Sequence, residues 1–280
     1  MNLLHRKAEI SPSAWLAQLD LGFSYRRDKT VLSTKSQRGP LTVQRAFYPE
    51  GDVCHLYILH PPGGVVGGDS LTINTTVKAN ASALLTTPGA TKFYRSQGET
   101  AYQNQSLTVA ENASLEWLPQ ENIYFSGAQV QMRTDIDLAD NASLIAWETH
   151  CFGMPTNNEA FAEGTLCLDF FLKRNGIPLL MEKMQVNADR VSSVTGLRGH
   201  SVMGLLVATA ADNDVLDKVR ELLIDDDGHL ISATLIDECL VVRYLGCSTA
   251  SCRQLFILIW QRIRPFVLDR EACLPRIWAT

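Results

Sequence analysis

Apolar and polar residues alternate along the middle of the chain with a period of two. In the stretch SLTVAENASLEWL, Leu107 and Val109 flank one polar residue, and Leu115 and Trp117 repeat the pattern after a polar interval. This period is typical of β-strands, whose successive side chains point to opposite faces. Asn112 lies in the interval, and Asn tolerates the left-handed backbone conformation of tight turns. The stretch therefore predicts a strand, a tight turn and a second strand.

The same signature occurs three times. The segments VKANASALL, VAENASLEW and LADNASLIA each contain the triplet NAS, which begins at Asn80, Asn112 and Asn141. A recurrence at intervals of about 30 residues is the sign of a structural repeat whose units stack to bury one continuous core. We therefore predict stacked hairpins in a mainly β fold. Few charges occur between residues 60 and 131, which favours strands covered on both faces.

The C-terminal third has a different pattern, with apolar residues at helical spacing. The stretch DNDVLDKVRELLID predicts a surface helix behind an Asp or Asn cap, and TASCRQLFILIWQRIR predicts a second helix that should end at Pro265. Between them, HLISATLIDECLVVRYLG predicts two more strands. We predict a single domain over residues 1–280, with a β-rich, repeat-like body at 1–206 and helices and strands packed on it at 207–280.

Composition and charge narrow the classes of function. The chain has 280 residues, is 46% hydrophobic and carries a net charge of −5. This charge gives no basic surface for nucleic acid or for an anionic membrane. The N-terminal segment lacks the apolar core of a signal peptide, and no run of about 18 apolar residues occurs, so we expect a cytoplasmic protein. In that compartment the seven cysteines are expected to be reduced thiols.

The stretch HPPGGVVGGD at residues 60–69 contains two glycine pairs and ends on a carboxylate. Glycine allows positive φ angles and the close approach of another chain, so the stretch predicts a turn-rich segment. A phosphate-binding loop would need lysine where Asp69 lies, and a dinucleotide fingerprint would have to open a helix rather than a strand. Among Cys54, His55, His60, His150 and Cys151, the spacing of a structural zinc site occurs only between His55 and His60. These two lie in an apparent strand that leads into the Pro-Pro turn, which argues against a tight metal site. We find no convincing catalytic constellation.

Several polar residues nevertheless interrupt apolar or small-residue runs. They are Asp69, the segment TKFYRS with Thr91 and Ser96 at its ends, Glu148 and Glu182. A charge in such surroundings is costly unless it is paired or hydrated. Surface exposure or salt bridges with Lys92 or Arg95 would explain them individually. Together, they predict the lining of a wet internal passage.

A series of motifs identifies a family resemblance. In chain order they are CHLYILHPPGGVVGGDSLTI, ALLTTPGATKFYRSQG, LEWLPQENIYFSGA, WETHCFGMP, GIPLLMEKM and GLRGHSVMGLL. Over about residues 41–206 they closely resemble the urease accessory proteins UreD, also called UreH. The resemblance implies a β-helix-like, solenoid arrangement of stacked strands with about two C-terminal helices.

The resemblance also implies a function. Members of this family are non-enzymatic assembly factors for the nickel site of urease, without a tightly bound cofactor. They bind apo-urease subunits, recruit the accessory proteins UreF and UreG, and are thought to conduct transient Ni²⁺ through an internal tunnel; a dimer within the complex is compatible with this role. Asp69 and Glu182 are the first candidates for the Ni²⁺ path, and Glu148, Thr91 and Ser96 are the second.

Two other functions remain open from the sequence. One is a cytoplasmic β-solenoid hydrolase that uses two of Asp69, Glu148 and Glu182 as acid and base. The other is a scaffold that bridges urease and UreF without passing metal. Aromatic residues in ENIYFSG and the apolar C-terminal helix are candidates for a UreF-binding patch, although most residues of this kind belong to the core.

Overall fold

The computed structural model of the protein describes residues 15–223 and 228–279. The first nine strands are β1 (Leu16–Arg26), β2 (Lys29–Arg38), β3 (Thr42–Val43), β4 (Cys54–Leu59), β5 (Ser70–Val77), β6 (Ser82–Thr86), β7 (Thr91–Phe93), β8 (Ala101–Val109) and β9 (Ser114–Leu118). They are followed by β10 (Asn122–Tyr124), β11 (Ala128–Leu138), β12 (Ser143–Met154), β13 (Glu159–Ala160), β14 (Gly164–Arg174), β15 (Ile177–Val186), β16 (Val202–Ala208), β17 (Leu230–Ile236) and β18 (Cys239–Gly246). The helices are α1 (Ala188–Ser192), α2 (Asn213–Arg220) and α3 (Thr249–Leu268).

The first sheet has seven strands in the order β15-β14-β11-β8-β5-β1-β2. Its five middle strands run parallel, while β2 and β15 pair antiparallel with their neighbours at the two ends. Equivalent positions of successive repeats are hydrogen-bonded, as in the pairing of Val77 with Val109 and of Val109 with Leu138. The outer strand β2 leaves Lys29 and Lys35 exposed. The stack of parallel strands confirms the predicted solenoid.

The second sheet faces the first and contains the order β17-β18-β16-β12-β9-β6-β4-β3. Strands β4, β6, β9 and β12 are parallel, and β16, β18 and β17 continue the sheet in antiparallel fashion. The short strand β10 pairs with both β12 and β7, which adds a third row of strands at one side. The two predicted C-terminal strands, β17 and β18, are therefore part of this second sheet.

The three NAS triplets form the turns that carry the chain from the first sheet to the second. Asn80, Asn112 and Asn141 have φ angles of 62°, 53° and 54°, which confirms the left-handed turn conformation. The predicted hairpins are wrong, because the strands on either side of each turn belong to different sheets and pair with the neighbouring repeats instead. Sequence periodicity gives the turn chemistry, but a tight turn of this kind can either fold a strand back on itself or change sheets.

Two apolar cores result from this arrangement. The larger lies between the two sheets, and the second lies between the outer face of the second sheet and helices α2 and α3. Strands β6 and β9 are therefore covered on both faces, as predicted. Strands β5 and β8 are not: their side chains alternate between the core and the outside, where uncharged Thr, Asn and Ser replace charged residues.

The C-terminal helices pack on the second sheet. The Asp212 side chain accepts a hydrogen bond from Val215 N–H and caps α2, as predicted. Helix α3 extends to Leu268, so the prediction that it ends at Pro265 is wrong. Proline in the last turn removes one hydrogen bond, while the buried side chains Ile263, Arg264 and Val267 hold this turn against the core. None of the helices in the described part of the chain has the length and apolarity to span a bilayer.

Candidate functional site

Asp69 fastens the glycine-rich turn to the start of the first strand. One carboxylate oxygen accepts the Trp15 N–H at 2.9 Å, and the other accepts the Val66 N–H at 3.0 Å. The residue is buried, and its carbonyl also accepts the Tyr102 N–H at 2.8 Å. A buried carboxylate requires such donors. Asp69 therefore has a structural task, which is to hold the turn against the first strand.

The glycines of this stretch let it lie directly against the segment that begins at Thr91. Val65 N–H donates to the Lys92 carbonyl at 2.7 Å, and Tyr94 N–H donates to the Val65 carbonyl at 2.9 Å. A Cβ atom at Gly64 would overlap the Tyr94 ring and the Lys92 carbonyl. The glycine pairs thus serve close approach between two chain segments, and bring the predicted site residues Asp69 and Thr91 into one region.

A cavity of about 270 Å³ opens beside this turn. Thr91 and His60 line it together with the inward-facing side chains of Gln103, Gln105 and Asn122. Burial lowers the pKa of His60, although the nearby Asp69 carboxylate acts in the opposite direction. Ser96 does not line this cavity, because its hydroxyl donates to the Glu99 carbonyl within a local turn.

A second cavity, of about 170 Å³, lies between the two sheets at the other end of the solenoid. Glu148 and His150 face it from β12, and Glu182 faces it from β15. The Arg243 guanidinium pairs with the Glu182 carboxylate at the cavity wall, with Nε donating at 3.1 Å. The structure therefore brings Glu148 and Glu182 into one cavity and leaves Asp69 and Thr91 near the other.

A chain of contacts connects the two cavities. Asn122 Nδ2 lies 3.7 Å from Met132 Sδ, which lies 3.6 Å from the Tyr124 hydroxyl. That hydroxyl lies 2.9 Å from His150 Nδ1, and His150 Nε2 lies 3.3 Å from a Glu148 oxygen. Burial raises the pKa of Tyr124, and the Glu148 carboxylate raises it further, so the phenol keeps its proton. Polar and sulfur atoms thus run through an otherwise apolar core.

These donors do not form a tight metal cage. Within residues 15–223 and 228–279, no three His, Cys, Asp or Glu side chains gather closely enough to hold an ion. Apart from the neighbouring Glu148 and His150, the carboxylate, imidazole, amide and thioether groups along the two cavities are instead spaced apart. Such an arrangement suits brief contacts with a hydrated divalent cation better than permanent binding.

Comparison with known proteins assigns the chain to a family. The family described as "UreD urease accessory protein" matches residues 16–279. This chain belongs to the UreD family. The urease accessory protein UreD of Alcanivorax borkumensis is 45% identical over 265 residues, which are 94% of this chain and 90% of the relative. The UreD of Aliivibrio fischeri is 43% identical over 286 residues, which span 98% of this chain and 99% of the relative. The UreD of Klebsiella aerogenes is 42% identical over 266 residues, which span 95% of this chain and 97% of the relative.

Within the UreD fold, sequence reasoning missed Tyr124 and Met132 as parts of the interior, and considered His150 only as a weak metal ligand. Ten consecutive residues of β12 are buried, so a polar Thr-His pair inside this apolar strand was the available signal. Tyr124 belongs to ENIYFSG, the candidate partner patch. It is fully buried, so it belongs to the core and not to a partner surface. On α3, Leu258 and Phe266 are exposed.

Proposed function

We propose that the protein assists nickel insertion into urease by passing Ni²⁺ through its interior while it is bound to apo-urease, UreF and UreG. The observation that carries this proposal is the line of contacts from Asn122 through Met132 and Tyr124 to His150, which joins the two cavities. The relatives are named as urease accessory proteins rather than as enzymes, and we propose the same for this chain.

Unpaired buried polar atoms support a hydrated interior. Gln103 Oε1, Gln105 Oε1 and Thr75 Oγ1 are buried and have no hydrogen-bond partner within the protein. Buried polar groups of this kind are normally satisfied by ordered water. Both glutamines line the first cavity. Water there would solvate an ion that has left bulk solvent, which lowers the cost of bringing a charge into the core.

The distribution of carboxylates supports passage rather than storage. Glu148 supplies negative charge in the second cavity, where Glu182 is paired with Arg243, and Asp69 supplies it near the wall of the first. A conduit must attract the ion and also release it, so separated oxygen donors suit it better than a compact soft-ligand site. Thr91 adds a neutral oxygen at the first cavity.

Urease activation in cells tests this function. The urease subunits, the other accessory proteins and nickel would be supplied with and without this chain, and urease activity and nickel content would be measured. We expect both to depend on the chain. Equal values in its absence would overturn the proposal and favour the hydrolase alternative.

Substitutions along the path separate conduction from scaffolding. Glu148→Gln and Glu182→Gln remove charge from the second cavity, and Asp69→Asn removes charge near the first while retaining one acceptor oxygen. Glu163→Gln, at an exposed ion pair with Arg95, is the matched control. Capture of the urease complex would show that each variant still assembles. Full activation by all three path variants would support the scaffold that does not pass metal.

A further inference from the structure

We propose that Glu148 and His150 jointly bind one divalent transition-metal ion in the second cavity, as a defined stopping point within the interior. This inference rests on the proposed conduction of Ni²⁺, but binding can be measured on the isolated chain without urease. His150 is the new element, since an imidazole changes the preference of the cavity from hard to borderline ions.

The spacing of the two side chains fits a shared ion. Glu148 and His150 are two residues apart on β12 and point to the same side of the sheet, into the cavity. Glu148 Oε2 lies 3.3 Å from His150 Nε2. Two donors that each lie about 2.0–2.2 Å from one ion are separated by about 3.0–3.5 Å at tetrahedral or octahedral angles. The pair therefore needs little movement to become two ligands of one ion.

The hydrogen bonds of Tyr124 prepare the imidazole for this role. The Tyr124 hydroxyl donates to Met132 Sδ at 3.6 Å, so its oxygen is able to accept from His150 Nδ1 at 2.9 Å. With the proton on Nδ1, the lone pair on Nε2 faces the Glu148 carboxylate. Two acceptors that face each other are satisfied by a cation between them. Binding in this form leaves the ring neutral and the phenol protonated.

The carboxylate is oriented in the same manner. The Thr134 hydroxyl donates to Glu148 Oε1, which leaves Oε2 directed at the imidazole. Both Thr134 and Tyr124 are fully buried, so the two supporting groups are fixed by the core. Outer-shell partners of this kind set the direction and basicity of metal ligands.

The remaining coordination positions face the cavity. Its volume of about 170 Å³ accommodates several waters, each of which occupies about 30 Å³. Met203 and Glu182 also line it, but Glu182 is paired with Arg243. One imidazole, one carboxylate and water favour Ni²⁺, Co²⁺ or Zn²⁺ over Mg²⁺ and Ca²⁺. Two protein ligands also allow the ion to leave.

The test uses the purified full chain and the metal ions alone. Ni²⁺ binding would be measured by equilibrium dialysis, with Mg²⁺ as competitor, for the wild type, His150→Gln, Glu148→Gln and Tyr124→Phe. His200→Gln, a partly exposed histidine outside the cavity lining, is the control. We expect the first two variants to lose this site and Tyr124→Phe, which keeps both ligands, to weaken it by about tenfold. If His150→Gln and Glu148→Gln bound Ni²⁺ as tightly as His200→Gln does, the assignment would be overturned.

A measurement on the wild type protects the test against misfolded variants. X-ray absorption of the Ni²⁺-loaded chain is expected to show imidazole nitrogen together with oxygen ligands, and a shell of oxygen alone would overturn the site.

The metal site and the assembly function can each fail without the other. If the variants bind as the wild type does while urease activation still depends on the chain, the site is wrong and the assembly function stands. If the variants lose binding and activation does not need the chain, the site stands and the assembly function is wrong.

Discussion

Arg264 and Glu116 form a two-pronged ion pair inside the protein, 148 residues apart in the chain. The guanidinium Nε and one terminal nitrogen each lie 2.9 Å from a different oxygen of Glu116. The same guanidinium also contacts both oxygens of Glu50. Because Arg264 belongs to α3 and Glu116 to β9, the pair fastens the last helix to the middle of the solenoid.

Loss of this arginine should strongly destabilise the fold. Arg264→Ala leaves the buried Glu116 and the partly buried Glu50 carboxylates without the cation that balances their charge, which typically costs about 3–5 kcal/mol in the free energy of unfolding. Arg262→Ala is the control on the same helix, because its pair with Glu221 is exposed and such pairs are worth about 0–1 kcal/mol. Urea unfolding would measure both. Similar losses for the two variants would contradict a special role for the buried pair.

The left-handed backbone conformation of the turn asparagines should limit which residues can replace them. Asn112 has a φ angle of 53°, and a residue with a Cβ atom and no side-chain amide is disfavoured there by about 1–2 kcal/mol. Asn112→Ala should therefore lower the free energy of unfolding by about 1 kcal/mol, whereas Asn112→Gly should change it little. Asn104→Ala, on the exposed face of β8, serves as the control. An equal effect of Ala and Gly at position 112 would contradict the turn explanation.

The two glycines of the first pair should respond differently to the same substitution. A Cβ atom at Gly64 meets the Tyr94 ring and the Lys92 carbonyl, while one at Gly63 meets nothing within 4 Å. Gly64→Ala should destabilise the fold by about 1–3 kcal/mol through overpacking, and Gly63→Ala should be almost neutral. Thermal unfolding distinguishes them, and hydrogen exchange of the Val65 amide should accelerate in Gly64→Ala alone. Equal melting temperatures would show that the close approach is not tight.

The lowered pKa of Glu50 predicts how the free energy of unfolding changes at acid pH. Burial raises the pKa of Glu50, but hydrogen bonds from His55 and Arg264 outweigh burial and leave the pKa below its ordinary value of 4.5. A carboxyl with a lowered pKa in the folded state stabilises the fold above the pKa of the unfolded chain. This stability is lost as the pH falls through the lower, folded value.

The corresponding experiment compares wild type and Glu50→Gln by urea unfolding over a range of pH. The variant should be less stable at neutral pH, because Arg264 loses a charged partner, and it should lose less stability than the wild type on acidification. The two curves should approach each other at acid pH. Parallel curves throughout this range would contradict the contribution of Glu50.

The repeat made the solenoid predictable, and its turns were predictable from Asn80, Asn112 and Asn141. The pairing of the strands was not, because a turn of the same chemistry serves a hairpin or a change of sheet. The end of α3 was not predictable either, because Pro265 is a local signal for a helix end. The contacts of Arg264 with Glu116 and Glu50, which keep the last turn against the core, involve residues that are distant in the sequence.

The site was predictable only as a set of unusual residues. Asp69 and Glu148 stood out because a charge interrupts an apolar or glycine-rich run. Their surroundings could not be predicted: the Trp15 and Val66 amides meet Asp69, and Tyr124 meets His150, only once the sheets are stacked. Whether these residues contact Ni²⁺ stays a prediction for the experiments above.

The antiparallel strand β2 at the end of the first sheet has a consequence for solubility. A strand at the border of a sheet presents unpaired backbone groups as a template for the next molecule. Here the outermost strand exposes Lys29, Lys35 and Arg38, so two copies that met edge to edge would bring like charges together. Repulsion between these charges disfavours growth into fibres at this border of the sheet.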